Sequence, residues 1–220
     1  MTAGATATRA GAPARITGLD PDPRRPGSVR VLADGCIYCT LGDADVKALG
    51  LAPGLVIEGA LAERLTAAAD AEAAYRTVLR ALERRAYARN DLARRLVRRA
   101  HPREAVEAAL DRAAAAGLLD DAKFTVHYVQ TRAARGRGPF RIQRDLLALG
   151  VERSLIERAI ADEWPADADR SAAPRALAAQ RARQLGDLPR PVKRRRLLAF
   201  LARRGYTGSE AIDAVREAVG

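Results

Sequence analysis

Three runs of basic residues are the feature of this chain best suited to chemistry. Arg94, Arg95, Arg98 and Arg99 form the first, and Arg132, Arg135, Arg137, Arg141 and Arg144 the second. Lys193, Arg194, Arg195 and Arg196, with Arg203 and Arg204, form the third. The guanidinium is a planar fork that pairs bidentately with phosphate or carboxylate, so the chemistry on offer is recognition of a polyanion. The bland alternative is a solvated helix face, and a GC-rich genome would enrich arginine without any function. Of the 38 basic residues 35 are arginine, so a single one carries little weight. Recurrence is what lifts the functional reading.

Other constellations are weaker. Cys36-x-x-Cys39 lacks a second cysteine pair, and His101 and His127 are distant, so four zinc ligands cannot be assembled. On a strand, residues three apart point to opposite faces, and a redox pair would want a helix N-terminus. Two cysteines on a half-buried strand account for the motif. Asp120-Asp121 is the one paired carboxylate in a suggestive setting, but a helix cap explains it. No GxxxxGK[ST], GxGxxG or HExxH occurs. The expectation is a non-enzyme with no catalytic residue, no cofactor and no metal.

The elements that must position the arginines are helices. From Gly117 to Gly150 the chain reads GLLDDAKFTVHYVQTRAARGRGPFRIQRDLLALG. Gly117 ends one helix, Asp120 or Asp121 caps the next, and Phe124, Tyr128 and Val129 give that helix a buried face. Gly136-Arg137-Gly138-Pro139 breaks it, and Pro139 opens another helix striped by Ile142, Leu146 and Leu149 and closed by Gly150. Upstream, Tyr75, Val78, Leu79 and Leu82 stripe a first helix, and Asn90 or Asp91 caps a short second one. Pro102 then opens a third. An offset of 50 carries Leu92, Leu96, Val106 and Leu110 onto Ile142, Leu146, Ile156 and Ile160. An offset of 55 carries Ile142, Leu146 and Gly150 onto Leu197, Leu201 and Gly205. Apolar positions recurring in this way predict three-helix repeats over 71–119, 120–164 and 175–220, in an elongated array. Three such repeats end to end would reach roughly 60–70 Å. Residues 165–174 are expected as a linker and Trp164 as a packing residue.

Ahead of the helices, residues 1–27 read as a disordered tail and 28–65 as a small β-containing module. Val29–Leu32 and Cys36–Leu41 read as strands joined by Asp34-Gly35, a strong hairpin signal. Asp43–Leu49 reads as a short helix and Leu55–Glu58 as a third strand. A module this small needs support, which the first long helix is placed to give. The fold class is therefore mainly α with a β-hairpin-containing N-terminal module.

At several of these residues the chain resembles the RecX family, regulators of the RecA recombinase. The residues are Gly117-Leu118-Leu119-Asp120-Asp121, Phe124, Arg132, Gly138-Pro139, Arg141-Ile142 and Leu146. Leu82–Leu96 is similar to that family's first repeat and Arg203-Arg204-Gly205-Tyr206 to its last. The resemblance runs from about Ala71 to the end, and longer members carry a similar N-terminal extension. Ala100 stands where the family has glycine.

Charge is distributed unevenly. Residues 1–70 hold 7 Lys+Arg and 8 Asp+Glu, net −1, whereas the rest hold 31 and 19, net +12. The positive field belongs to the helices and suits polyanions. Aromatic residues make up 4% of the chain, too few for base stacking to be the main binding mode. No apolar run approaches the roughly 20 residues of a membrane span, and the N-terminus lacks a secretory h-region. The expected setting is cytoplasmic, as a monomer.

The family resemblance implies a negative regulator in homologous recombination, DNA repair and the SOS response. It would lie along the groove of the RecA–single-stranded-DNA filament and restrain filament growth, ATP hydrolysis and strand exchange. Its partners would be RecA and single-stranded DNA, with duplex DNA as a further one. The rival is a free-standing helical DNA-binding regulator acting without RecA. Its candidate recognition helix would carry Glu152, Arg153, Glu157 and Arg158, a mixed face that suits phosphates poorly.

Overall fold

The computed structural model describes residues 13–165 and 169–220. Strands β1 (Ala14–Pro21), β2 (Ser28–Ala33) and β3 (Cys36–Gly42) come first, then α1 (Asp43–Ala48) and β4 (Val56–Ile57). Helices α2 (Gly59–Leu82), α3 (Arg89–Val97) and α4 (Arg103–Ala115) follow. The next triplet is α5 (Asp121–Ala133), α6 (Pro139–Leu149) and α7 (Arg153–Glu163). The last is α8 (Ala172–Gln184), α9 (Arg190–Arg204) and α10 (Ser209–Val219). Two compact units result. The first runs through Ala86 and includes Leu92–Leu119, and the second joins Tyr87–Asp91 to Asp120–Gly220.

In the first unit the strands form an antiparallel sheet of order β3-β2-β1-β4. Ala33 pairs with Cys36, so Asp34 and Gly35 make a two-residue turn with φ of 49° and 80°. Positive φ at both central residues matches the right-handed strand twist, which is why Asp-Gly could be read as a hairpin. The expected tail over 1–27 is corrected from Ala14 onward, because that stretch supplies β1, the partner of both β2 and β4. Ile16 lies fully inside the module core with Val31, Leu41, Ile57 and Leu65. Its strand was hidden because a register shift between Ile16 and Gly18 interrupts the alternation that marks a strand. Residues 1–12 lie outside the described residues.

The first long helix begins at Gly59 rather than near Ala71. Its early turns are alanine-rich, with high helix propensity and no clear apolar stripe. Leu65 from those turns enters the sheet's core. Two turns further on, the Glu72 carboxylate is 1% exposed and answered on three sides. Ser28 Oγ donates to it at 2.6 Å, Arg76 Nε at 2.7 Å and Arg112 at 2.8 Å. Arg112 also stacks 3.9 Å from the Tyr75 ring centre. Three elements, β2, α2 and α4, thus meet on one charge.

The apolar positions that recur along the sequence are buried, except Ile160, which is half-buried against the core of the second triplet. Leu92, Leu96, Val106 and Leu110 are at most 1% exposed in the first unit, as are Ile142, Leu146, Ile156, Leu197 and Leu201 in the second. Trp164 packs against the core of the second triplet. Of the expected linker over 165–174, residues 166–168 lie outside the described residues. Its end is corrected: Ala172 begins α8, and Pro174 is buried in that helix's first turn, a position where proline costs no hydrogen bond.

Ala100 has φ of 63°, so the turn keeps the left-handed conformation that glycine would adopt freely. Replacing Ala100 by glycine should raise stability by about 0.5–1 kcal/mol, relief of Cβ strain being partly offset by greater freedom of the unfolded chain. Chemical denaturation checks this, and a loss of stability would show that the turn is not strained. Glu72 generates a pH dependence. Burial alone would raise its pKa, but the hydrogen bonds from Ser28, Arg76 and Arg112 outweigh burial and hold it below the usual glutamate value. A lowered native pKa stabilises the fold above the unfolded-state value, and that contribution is lost as pH falls through the native one. Stability should therefore decline on acidification below the ordinary carboxylate range, and Glu72→Gln should flatten that decline. An identical acid profile in the variant would remove Glu72 from the account.

Candidate nucleic-acid interface

The second unit is organised by a place where two backbones touch. Gly138, in the break between α5 and α6, donates its N–H to the Arg204 carbonyl at 2.8 Å. A Cβ on Gly138 would overlap the Gly205 carbonyl and meet the Tyr206 ring at 3.0 Å. Gly138 has an ordinary φ of −82°, so glycine is required there by closeness, not by conformation. Gly205 is different: it caps α9 at φ of 94°, and a Cβ there would strike the backbone of Arg141. The motifs Gly138-Pro139 and Arg203-Arg204-Gly205-Tyr206 are therefore two halves of one contact.

That contact gathers arginines. Arg132, Arg135 and Arg137, from the end of α5 and its turn, face Arg203 and Arg204 across a cleft of about 540 Å³, with Phe200 as the remaining lining residue. The guanidinium of Arg204 donates to the carbonyls of Arg135 and Gly136 at 3.3 and 3.4 Å. It also stacks 5.0 Å from the Phe200 ring centre, with Arg181 at 5.7 Å from the same ring. Arg132 stacks 4.9 Å from the Tyr128 ring centre. Stacking of this kind holds a guanidinium while leaving its N–H edge directed elsewhere.

The other expected site residues are placed differently. Arg141 forms a 3.0 Å ion pair with Asp145 one turn along α6, so its charge is already answered locally. Arg144 is exposed on α6 but does not line the cleft. Arg194, Arg195 and Arg196 are exposed near the start of α9, with Lys193 half-buried, and they too lie outside the cleft. Arg94, Arg95, Arg98 and Arg99 belong to the first unit. Tyr128, Arg181 and Phe200 were not anticipated. A signal for two of them was present: Tyr128/Arg132 and Phe200/Arg204 are both spaced i, i+4, which places ring and guanidinium on one helix face.

The paired aspartates divide the capping work. Asp120 caps α5, accepting the Lys123 N–H at 2.9 Å. Asp121 accepts the N–H of Arg89, the first residue of α3, at 2.8 Å. This corrects the expectation that Asn90 or Asp91 caps that helix. The Asn90 amide donates instead to the Gly150 carbonyl at 2.6 Å. Both cysteines are free, and burial pushes the Cys39 thiol up to about 12, so it holds no thiolate at neutral pH. Among the described residues no cluster of three or more His, Cys, Asp or Glu could hold a metal, and no helix is long and apolar enough to cross a membrane.

Comparison with known proteins finds a family model, relatives and solved structures similar to this chain. Residues 120–160, which span α5, α6 and most of α7, match the family model described as RecX, second three-helix domain. The regulatory protein RecX of Halorhodospira halophila is 37% identical over 155 residues, covering 69% of this chain and 92% of that protein. That of Mycobacterium ulcerans is 36% identical over 138 residues, covering 62% and 79%. A crystal structure of regulatory protein RecX superposes with a TM-score of 0.75 at 20% identity, over 93% of this chain and 99% of that one. At that identity the likeness is one of fold.

Gly138→Ala should destabilise the protein by about 1–3 kcal/mol, because the added methyl forces apart two backbones that cannot yield as a side chain would. Urea denaturation measures it. A variant as stable as the parent would mean that the α5–α6 turn can move away from Gly205 at no cost.

Proposed function

The chain belongs to the RecX family, and from that premise we propose that this RecX-type regulator acts on the RecA recombinase. In this reading it binds along the RecA–single-stranded-DNA filament and restrains filament growth, ATP hydrolysis and strand exchange. It would act in the cytoplasm, as a monomer and without enzymatic chemistry of its own. The observation that carries the reading is the five-arginine cleft at the Gly138–Gly205 contact. Both chain segments that make it are segments on which the family resemblance rests. A nucleoprotein filament presents phosphates and acidic side chains in a repeating array, and arginine forks can pair with either.

The remaining basic residues have a place in the same proposal. Arg144 and the run from Lys193 to Arg196 would extend the contact beyond the cleft, and Arg94, Arg95, Arg98 and Arg99 would supply a further point on the filament. Arg141 is assigned a structural part instead, because Asp145 already answers it.

The direct experiment is to titrate the protein into RecA hydrolysing ATP on single-stranded DNA. The protein should slow hydrolysis. The variant Arg137→Ala/Arg144→Ala/Arg203→Ala, all at exposed positions, should need about tenfold more protein for the same effect, the loss of a few charge-assisted contacts. Circular dichroism should be unchanged. Full potency in the variant would reduce these arginines to a solvated face. Tight binding to naked DNA with no effect on RecA would favour the free-standing regulator.

A further inference from the structure

We propose that the cleft between the α5–α6 turn and the end of α9 is a site for consecutive phosphates of a nucleic-acid strand, read without regard to base. The inference deepens the proposed function by naming what this part of the basic face takes, and it rests on that reading for what brings a strand there.

The first argument is charge. Among the described residues the cleft is lined by five arginines and one phenylalanine, and by no carboxylate. Like charges gathered in one concavity focus a positive potential that favours an anion. Arg141, just behind the contact, is neutralised by Asp145, whereas the cleft arginines have no acid within their lining.

The second is preorganisation. Arg204 is held by two carbonyls and one ring, and Arg132 by another ring. Side chains already fixed lose less freedom when they bind, so these two forks are set before a ligand arrives. Arg135, Arg137 and Arg203 are exposed and can close on what enters.

Size and lining chemistry select the ligand. About 540 Å³ is too large for one phosphate and would leave most of five forks unanswered. A strand delivers a charge at every nucleotide, enough to answer arginines contributed by two separate segments. The lining has no asparagine, glutamine, serine or threonine to read a base edge. Its arginines could fork only to guanine and outnumber any run of guanines a strand presents by chance, whereas every nucleotide carries a phosphate. Phe200 is engaged by Arg181 and Arg204, so the ring serves the arginines rather than a base. What remains is contact with the backbone, which positions a strand but does not select its sequence. Since Arg132, Arg135 and Arg137 come from one helix triplet and Arg203 and Arg204 from the next, a bound strand also ties the two triplets together.

The test uses the full chain without RecA and a labelled oligothymidylate of about 15 nucleotides, with anisotropy followed across a salt series. The cleft variant Arg135→Ala/Arg137→Ala/Arg203→Ala removes three charges from exposed positions. Its control, Arg158→Ala/Arg183→Ala/Arg190→Ala, removes three from exposed positions of the same unit outside the cleft. The cleft variant should weaken binding at least about tenfold and lower the salt slope by about 2, at about 0.7 per lost phosphate contact. The control should lose about threefold or less. The oligonucleotide should raise the melting temperature of the wild type more than that of the cleft variant. Equal losses in the two variants would mean that the strand senses only overall charge, and would overturn the proposal. So would displacement of the strand by polyglutamate, or by inorganic tripolyphosphate, as effectively as by a second oligonucleotide. A cleft variant that binds naked strand like the wild type yet no longer slows RecA would sink this inference and leave the proposed function standing. A cleft variant that loses the strand while RecA inhibition persists in full would support the site and count against its use on the filament.

Discussion

The approach of Gly138 to Gly205 is the constraint on which the second unit depends. The hydrogen bond from the Gly138 N–H to the Arg204 carbonyl forms only because neither Gly138 nor Gly205 carries a Cβ, which would overlap the Gly205 carbonyl and the Arg141 backbone respectively. Once it forms, Pro139 begins α6 beside it, Arg204 reaches back to the α5 terminus, and Tyr206 is carried into the core of the last triplet. The arginine cleft is a by-product of the same geometry. Helix ends are electrically awkward places to collect cations in general, but C-terminal ends favour them, and Arg132, Arg203 and Arg204 all occupy last turns. The dipoles of α5 and α9 thus offset part of the repulsion among the guanidiniums.

The first unit is held by a contrasting device. Glu72 is a buried charge whose burial is tolerated because Ser28, Arg76 and Arg112 all converge on it. Removing such a charge's partners is costly, while the intact cluster fixes which strand meets which helix. Arg76 also bonds the Pro26 carbonyl at 2.8 Å, so the loop leading into β2 is fastened by the same side chain. A small sheet that could not bury enough surface by itself gains a unique seat on α2.

How far the sequence could be read follows from the range of each interaction. The Asp34-Gly35 turn, the Asp120 cap, the Pro139 helix start and the stripe through Ile142 and Leu146 are settled within a few residues of themselves, and all were legible. Strand β1 was not, since its bulge breaks the local period and its pairing with β4 spans the module. The arginines of the site could be listed by type, but not sorted. Arg141 could have been set aside from Asp145 four residues on. That Arg135 and Arg203 share a cleft depends on a glycine contact between distant segments, which no local pattern encodes. The assignment of the N-cap to Asn90 or Asp91 failed because the helix already begins at Arg89, whose N–H is received by the distant Asp121.

Those two distant bonds at Tyr87–Asp91 bear on the order in which the protein is made. The Arg89 N–H waits for a carboxylate 32 residues downstream, and the Asn90 amide for a carbonyl 60 residues downstream. Contacts of long sequence separation form late, because loop-closure entropy must be met first. During synthesis the whole of α3 and α4 is polymerised before either partner exists. The Arg89 N–H is therefore made before its Asp121 carboxylate, and the Asn90 side chain reaches its carbonyl only after Gly150 has followed. A chain ending before Asp121 would carry the residues of the whole sheet and α2 but not the carboxylate that receives the Arg89 N–H.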